Sequence, residues 1–456
     1  MHTHALADDL RPRRSLWLSR RARWSAAAVA VLAVALLVFS VVYRVSQRPY
    51  GFDRLSRIGG VALPAGTEGA HAYLDGGRAF LGRPTGDGHY DLRAVDSDKP
   101  GAAPLWVNTA LTAVDTFRAA RGMILITGLP DPAGHRRLTL LNANNGAPFA
   151  TFDMDPGDRW SLIGKYLVRY AATDHRLTVT DVGTGKQTAA FDQPGGAGSW
   201  WQVDNWSGQQ VPTSITGQPI DEALTVDPHI VRATADRGLE VVGLAGGHPI
   251  GSGTGVAGPG DLVYPYENQI FVVTHDAGFQ VRAYDRTRLA RPQWTWDSPD
   301  RQARALFVGA CGERRVCIGE EHHLTDLDAD TGDVVFRAAA ERPSQAVPVG
   351  DRIMVRTATQ AIGVTESLLD ASGQTVASWP GKRAARLDEG SYLLLPAIPP
   401  PGPYPWVGVA AGRGVARELG SLDARPDACT WSHEYLACAT PAEFAFYRIR
   451  APWYSL

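Results

Sequence analysis

One phrase recurs along this chain at nearly fixed spacing, and it constrains the fold more than any single residue does. Its clearest copies are Leu324-Thr-Asp-Leu-Asp328-Ala-Asp-Thr-Gly332, Leu177-Thr-Val-Thr-Asp181-Val-Gly-Thr-Gly185 and Leu138-Thr-Leu-Leu-Asn142-Ala-Asn-Asn-Gly146. Each reads as a short alternating strand, an Asp or Asn, a glycine-containing turn and a second strand. Leu92-Arg-Ala-Val-Asp96, Val281-Arg-Ala-Tyr-Asp285 and Ser367-Leu-Leu-Asp370-Ala-Ser-Gly373 are looser copies. Leu239-Glu-Val-Val-Gly243 loses the Asp, and Val407-Gly-Val-Ala410 and Phe444-Ala-Phe-Tyr447 are degenerate. The anchors stand at 96, 142, 181, 243, 285, 328, 370, 410 and 447. Most steps are about 37 to 46 residues and one is about 62, close to the length of a four-stranded propeller blade.

A further strand precedes most copies, as in Met123-Ile-Leu-Ile-Thr127, Ile270-Phe-Val-Val-Thr274 and Tyr392-Leu-Leu-Leu395. These runs are rich in β-branched and aromatic residues. No long 3.6-residue apolar period occurs after residue 55. The 48 Gly and 31 Pro suit many tight turns. The pattern predicts an all-β chain with a single closed β-propeller over residues 56–456. Eight blades are expected, with the first and last anchors sharing one blade; seven and nine are the alternatives. An N-terminal strand at about Ile58–Leu63 is expected to pair with the last blade and so remove an open edge.

The phrase resembles the repeat of PQQ-binding-like (quinoprotein-like) β-propellers, Ala-x-Asp-x-x-x-Gly-x-x-x-Trp. Ala94 with Asp96, and Ala283 with Asp285, keep its first half. Asp328, Gly332 and Phe336 keep its spacing with Phe for Trp; Asp181/Gly185 and Asn142/Gly146 keep the turn alone. The resemblance covers most of the chain after residue 55. It implies the fold, and it implies either a dehydrogenase or a cofactor-free scaffold, including propellers that assist protein assembly at membranes. Quinoprotein dehydrogenases carry an adjacent Cys pair near the quinone and a Ca²⁺ ion held by acidic and amide side chains. No two Cys are adjacent here. The expected function is therefore a non-catalytic cell-envelope binding or scaffold module without a cofactor. A PQQ-dependent oxidoreductase with Ca²⁺ is the alternative. The WD-type repeat fits less well, because no Gly-His…Trp-Asp pairing recurs.

Trp24–Tyr43 is a run of 20 residues without a charge. At about 1.5 Å per helical residue it matches a bilayer core of roughly 30 Å. Six Arg precede it, against Asp8 and Asp9. The positive-inside bias predicts a cytoplasmic basic tail (1–23), a transmembrane anchor (24–43), a linker (44–55) and an extracytoplasmic propeller at the plasma membrane. A cleaved signal peptide has a shorter apolar core and a small-x-small site, which Ser40-Val-Val-Tyr-Arg44 does not offer. Four Cys follow. Local pairs Cys311–Cys317 and Cys429–Cys438 are favoured among three connectivities, since each needs only neighbouring strands.

The net charge of −2 gives no global field for nucleic acid. The excess of Arg over Lys, 41 to 4, reads as coding bias rather than a phosphate-binding device. Gly253-Thr-Gly255-Val-Ala-Gly258 matches a dinucleotide fingerprint, but Pro259-Gly260 forbids the helix such a site needs, so it reads as an inter-blade loop. Glu320, Glu321, His322, His323, Asp326, Asp328 and Asp330 are the densest ligand-like cluster. A Ca²⁺ loop would want Gly at 331, where Thr stands, and Asp328 suits an Asx turn instead. No catalytic residue and no metal set is assigned. Two segments read as recognition surface for an envelope protein or peptide. One is the Gly-rich insertion with Trp200, Trp201 and Trp206, which also suits carbohydrate; the other is the Pro-rich loop ending in Tyr404 and Trp406.

Overall fold

Each recurrence of the phrase builds one four-stranded antiparallel sheet. The computed structural model describes residues 52–450 except 65–66, 76, 87, 121, 193–200, 204–228, 235–236, 259, 276–277, 360–362, 389, 399–400 and 433. The chain divides into two units, Met1–Pro49 and Tyr50–Leu456. Blades 1 to 8 occupy 71–112, 114–154, 159–192, 201–253, 262–297, 307–339, 343–380 and 382–422, each with its four strands in simple order. Blade 9 combines the three strands Cys429–Trp431, Tyr435–Ala439 and Glu443–Arg450 with Phe52–Ala62 from the other end of the chain. The closing strand is antiparallel to Glu443–Arg450, with Phe52 opposite Arg450 and Ala62 opposite Glu443.

First strands of neighbouring blades lie against one another in blades 1 and 2, in blades 4 to 7, and between blades 9 and 1. This places them innermost around the axis and the fourth strands outermost. Antiparallel order then puts the first–second and third–fourth turns of blades 1 to 3 and 5 to 8 on one face of the ring. Middle strands are buried on both sides, as at Leu393, Leu394 and Leu395, whereas outer strands alternate between half-buried and exposed positions. The core is divided among the blade junctions. Phe80 and Leu92 of blade 1 pack with Phe117 and Ile124 of blade 2, and Phe271 and Val281 of blade 5 pack with Val316 and Leu327 of blade 6. Each blade therefore stabilises only its neighbours.

The spacing from Asp to Gly to aromatic has a direct physical cause. Gly146 closes the third–fourth turn of blade 2 at φ +68°, and a Cβ there would lie 2.6 Å from the ring of Trp106 in blade 1. Trp106 Nε1 donates to the carbonyl of Ala143 at 3.0 Å. Trp294 of blade 5 repeats this on Gly332 of blade 6, with Nε1 on the Ala329 carbonyl at 2.8 Å. Phe336 of blade 6 sits on Gly373 of blade 7. The aromatic of one blade thus docks on the glycine turn of the next, and only glycine leaves room for it.

The structure corrects the expected fold class in one count. The propeller has nine blades, not eight. The blade of the first anchor has four strands of its own, so it does not share a sheet with the last anchor; the closing strand precedes that whole blade. The expected N-terminal transmembrane helix is not among the elements found. No helix among the described residues is long and apolar enough to cross a membrane, and Trp24–Tyr43 lies outside the described residues.

Candidate interaction surface

Polar groups that the sequence offers for chemistry are largely committed inside the fold. Asp328 Oδ1 accepts the backbone N–H of Asp330 at 2.9 Å and of Thr331 at 3.0 Å. Asp96, Asn142, Asp181, Asp285 and Asp370 cap their own turns in the same way. The anchor residue is therefore an Asx-turn former, chosen because its short side chain reaches its own backbone two residues on. These bonds hold the Asp285 and Asp370 carboxyls below the usual range, chiefly through the hydroxyls of Thr287 and Ser372.

The acidic cluster at 320–330 does not converge on one point. Glu320 accepts from Thr325 Oγ1 and, at 2.7 Å, from Arg337. Asp326 pairs with Arg315, and Asp330 with Arg314. His322 faces Glu341 at 3.2 Å and His323 faces Arg337 at 3.2 Å. One carboxylate oxygen of Asp326 lies within 4.8 Å of the sulfurs of Cys311 and Cys317, but those sulfurs are bonded to each other and offer no thiolate. Burial pushes the Asp326 carboxyl up to about 6 against the pull of Arg315.

Both expected disulfides are present. Cys311–Cys317 ties the first two strands of blade 6, and Cys429–Cys438 ties directly opposed residues of blade 9, with Cα separations of 5.5 and 4.0 Å. The abundant arginines have a structural use that composition alone does not reveal. Arg78, Arg315 and Arg352 each open the second strand of a blade, and each donates to a carbonyl in the third–fourth turn of the next: Ala143, Ala371 and Gly412. Arg356 does this deeper down, binding Glu366 at 2.6 Å and the Ala384 carbonyl of blade 8 at 3.0 Å. The forked guanidinium suits such bridging, since one head satisfies two acceptors in different blades.

The expected recognition residues are scattered. Trp200 and Trp206 lie outside the described residues. Trp201 opens the first strand of blade 4, Trp201–Val203, where its backbone stands opposite that of Arg232 in the ladder. Trp406 is a correction: it is fully buried, packed edge-on against Trp431 with ring centroids 6.5 Å apart. It belongs to the core between blades 8 and 9 and presents nothing to a partner. Tyr404 is half-buried at the start of the same strand.

What sequence reading missed is the outer rim. Near the start of the fourth strands, Val107 of blade 1, Phe149 of blade 2, Val334 and Val335 of blade 6, Val376 of blade 7 and Val415 of blade 8 are exposed. Leu105, just before the outer strand of blade 1, is 54% exposed. It also lines a groove of about 580 Å³ with Asp75, Arg78, Asp96 and Asp98. Outer strands carry no anchor phrase, and their short alternation reads like any half-buried strand.

No protein-family model matches the chain, and no curated protein matches it in sequence. Solved structures do. A eukaryotic initiation factor is 10% identical, covers 88% of this chain and 93% of its own, and superposes with a TM-score of 0.53. The C-terminal WD40 domain of Sif2 is 10% identical over 88% of this chain and 100% of its own, at 0.43. BamB from Moraxella catarrhalis is 12% identical over 79% of this chain and 96% of its own, at 0.39. At such identities the likeness shows the propeller fold alone.

Proposed function

We propose that this propeller is a non-catalytic, extracytoplasmic binding module for protein partners in the cell envelope. The observation that carries the reading is a division of labour: many charged groups are paired within and between blades, while six of the ten large apolar side chains exposed among the described residues lie on outer strands. Apolar side chains left exposed on neighbouring blades are the usual mark of a surface that another protein covers. Val334 and Val335 of blade 6, Val376 of blade 7 and Val415 of blade 8 form such a series. Two buried disulfides support an oxidising compartment. Docking of Trp106 and Trp294 on glycine turns supports the resemblance to quinoprotein-like repeats, whose cofactor-free members are scaffolds. The carbohydrate alternative rests on Trp200, Trp201 and Trp206, of which Trp200 and Trp206 lie outside the described residues, and we do not adopt it.

The test is site-specific photocrosslinking of the full-length protein in cells, with the reactive residue at position 335 or 376. A discrete adduct to another envelope protein is expected. No adduct from either position overturns the assignment to this rim. The non-catalytic half of the proposal is tested by calorimetric titration with pyrroloquinoline quinone and Ca²⁺. Tight stoichiometric binding overturns it and assigns the ring to the oxidoreductases.

A further inference from the structure

Open sheet edges attract other strands, and proteins guard them with charge or proline. Eight of the nine outer strands here follow that rule. Pro148 and Asp153 guard blade 2, Lys186 and Asp192 blade 3, Pro249 blade 4, Asp297 blade 5, Arg337 blade 6 and Pro380 blade 7. Arg417 and Glu418 guard blade 8, and Asp53, Arg54 and Arg57 guard the closing strand of blade 9. The outer strand of blade 1, Trp106-Val-Asn-Thr-Ala-Leu-Thr112, has neither a charge nor a proline.

Two further observations bear on this edge. Its register with the third strand is regular over Trp106–Asn108 and shifts beyond it, where Asn108 Oδ1 accepts the Ala110 N–H at 3.0 Å. Pairing outward is therefore limited to a short stretch at Trp106–Asn108. That stretch starts at the 580 Å³ groove, whose charged lining is Asp75, Asp96 and Asp98 with Arg78; Arg448 also stands 3.7 Å from Asp98, which leaves one carboxylate in excess. Apolar side chains, exposed by 54% at Leu105 and 48% at Val107, connect the edge to the groove.

We propose that the outer strand of blade 1 binds a short extended segment of a partner protein by strand addition, with a Lys or Arg of that segment seated in the acidic groove. Main-chain hydrogen bonds from the outward-facing backbone groups within Trp106–Asn108 supply affinity, since the Leu105 N–H is already given to the Ala94 carbonyl at 2.8 Å. The partner's alternate apolar side chains cover Leu105 and Val107, and its cation meets the excess of carboxylates. The segment is extended, uncharged along its length and basic at one end. This deepens the protein-binding reading and rests on it.

The experiment uses the full-length protein and a synthetic Lys-Thr-Val-Thr-Val-Thr peptide. Controls are a version with Glu for Lys and a version N-methylated at alternate residues. Fluorescence anisotropy reads affinity, and amide hydrogen exchange reads location. Expected results are binding, slowed exchange confined to blade 1 around Trp106–Asn108, and weakening on the order of tenfold for both controls. Val107→Lys, at an exposed position, abolishes binding without altering the fold by circular dichroism. No binding of the Lys peptide at about 1 mM overturns the site, as do equal binding of the Glu peptide or protection elsewhere. If the site falls while positions 335 and 376 still crosslink in cells, the protein-binding reading stands and only its location on blade 1 is lost.

Discussion

The junction between blades 1 and 2 and the junction between blades 2 and 3 are built from the same phrase, yet they are packed differently. In the first, Trp106 fills the space above Gly146, and Asn108 Nδ2 adds a bond to the Gly146 carbonyl at 2.8 Å. In the second, blade 2 has Ala150 in its outer strand where an aromatic would be needed, and a Cβ on Gly185 would meet nothing within 4 Å. Both glycines keep left-handed backbone, at φ +68° and +67°. The turn geometry is thus set locally by the Asx residue and the glycine, and the aromatic is an optional clamp laid over it. A repeat can lose its Trp and still make a blade.

The sharpest way to break the contrast is to remove a clamp. Trp294→Ala is expected to cost about 3 kcal/mol in denaturant unfolding, since it empties the space over Gly332 and deletes the bond to the Ala329 carbonyl. A loss under about 1 kcal/mol would mean the clamp is ornamental. Next come the paired glycines. Gly146→Ala meets both the left-handed penalty and the Trp106 ring, about 2–3 kcal/mol together, whereas Gly185→Ala meets the first alone, about 1 kcal/mol. Equal costs in thermal unfolding would show that the ring over Gly146 yields freely. Asp328→Ala should cost about 1 kcal/mol and speed amide exchange at Asp330 and Thr331, whose N–H groups it holds.

The smallest effect expected is a pH dependence within blade 6. The folded Asp326 carboxyl, raised to about 6, lies above its unfolded value, so it binds protons more readily when folded. Stability should rise as pH falls through 6, by about 1 kcal/mol between pH 7 and 5 relative to Asp326→Asn. Parallel pH profiles for the two proteins would show that Arg315 keeps the carboxyl at its ordinary value.

Much of this architecture is legible in the residues. The anchors from Asp96 to Ala410 stand at the end of a third strand or one residue beyond it, and Tyr447 lies inside the third strand of the last blade, because Asx-turn chemistry is local and leaves a local mark. Blade number slipped by one because closure is not local. Nothing near Asp96 or Tyr447 says whether they share a sheet; that depends on where Phe52–Ala62 pairs. Trp406 was misread for a related reason. A Pro-rich run ahead of it suggests a loop, but alternation in Tyr404–Ala410 sends Trp406 inward, to Trp431 of the next blade. The exposed valines of the rim were invisible because exposure of an outer strand depends on what the neighbouring blade covers.

The closing strand also sets a timetable. Phe52 is buried against blade 8, its ring under the Arg450 guanidinium at 5.0 Å and its carbonyl held by Arg417. A chain made from its N-terminus produces this strand first and its partner Glu443–Arg450 last. Until synthesis reaches blade 9, Phe52–Ala62 has no sheet to join, and blade 1 stands as an open end. The ring is therefore sealed only once its last blade has been made. Anything that shortens the wait, whether a faster last step or a chaperone that shields the waiting strand, should raise yield without changing the stability of the finished ring.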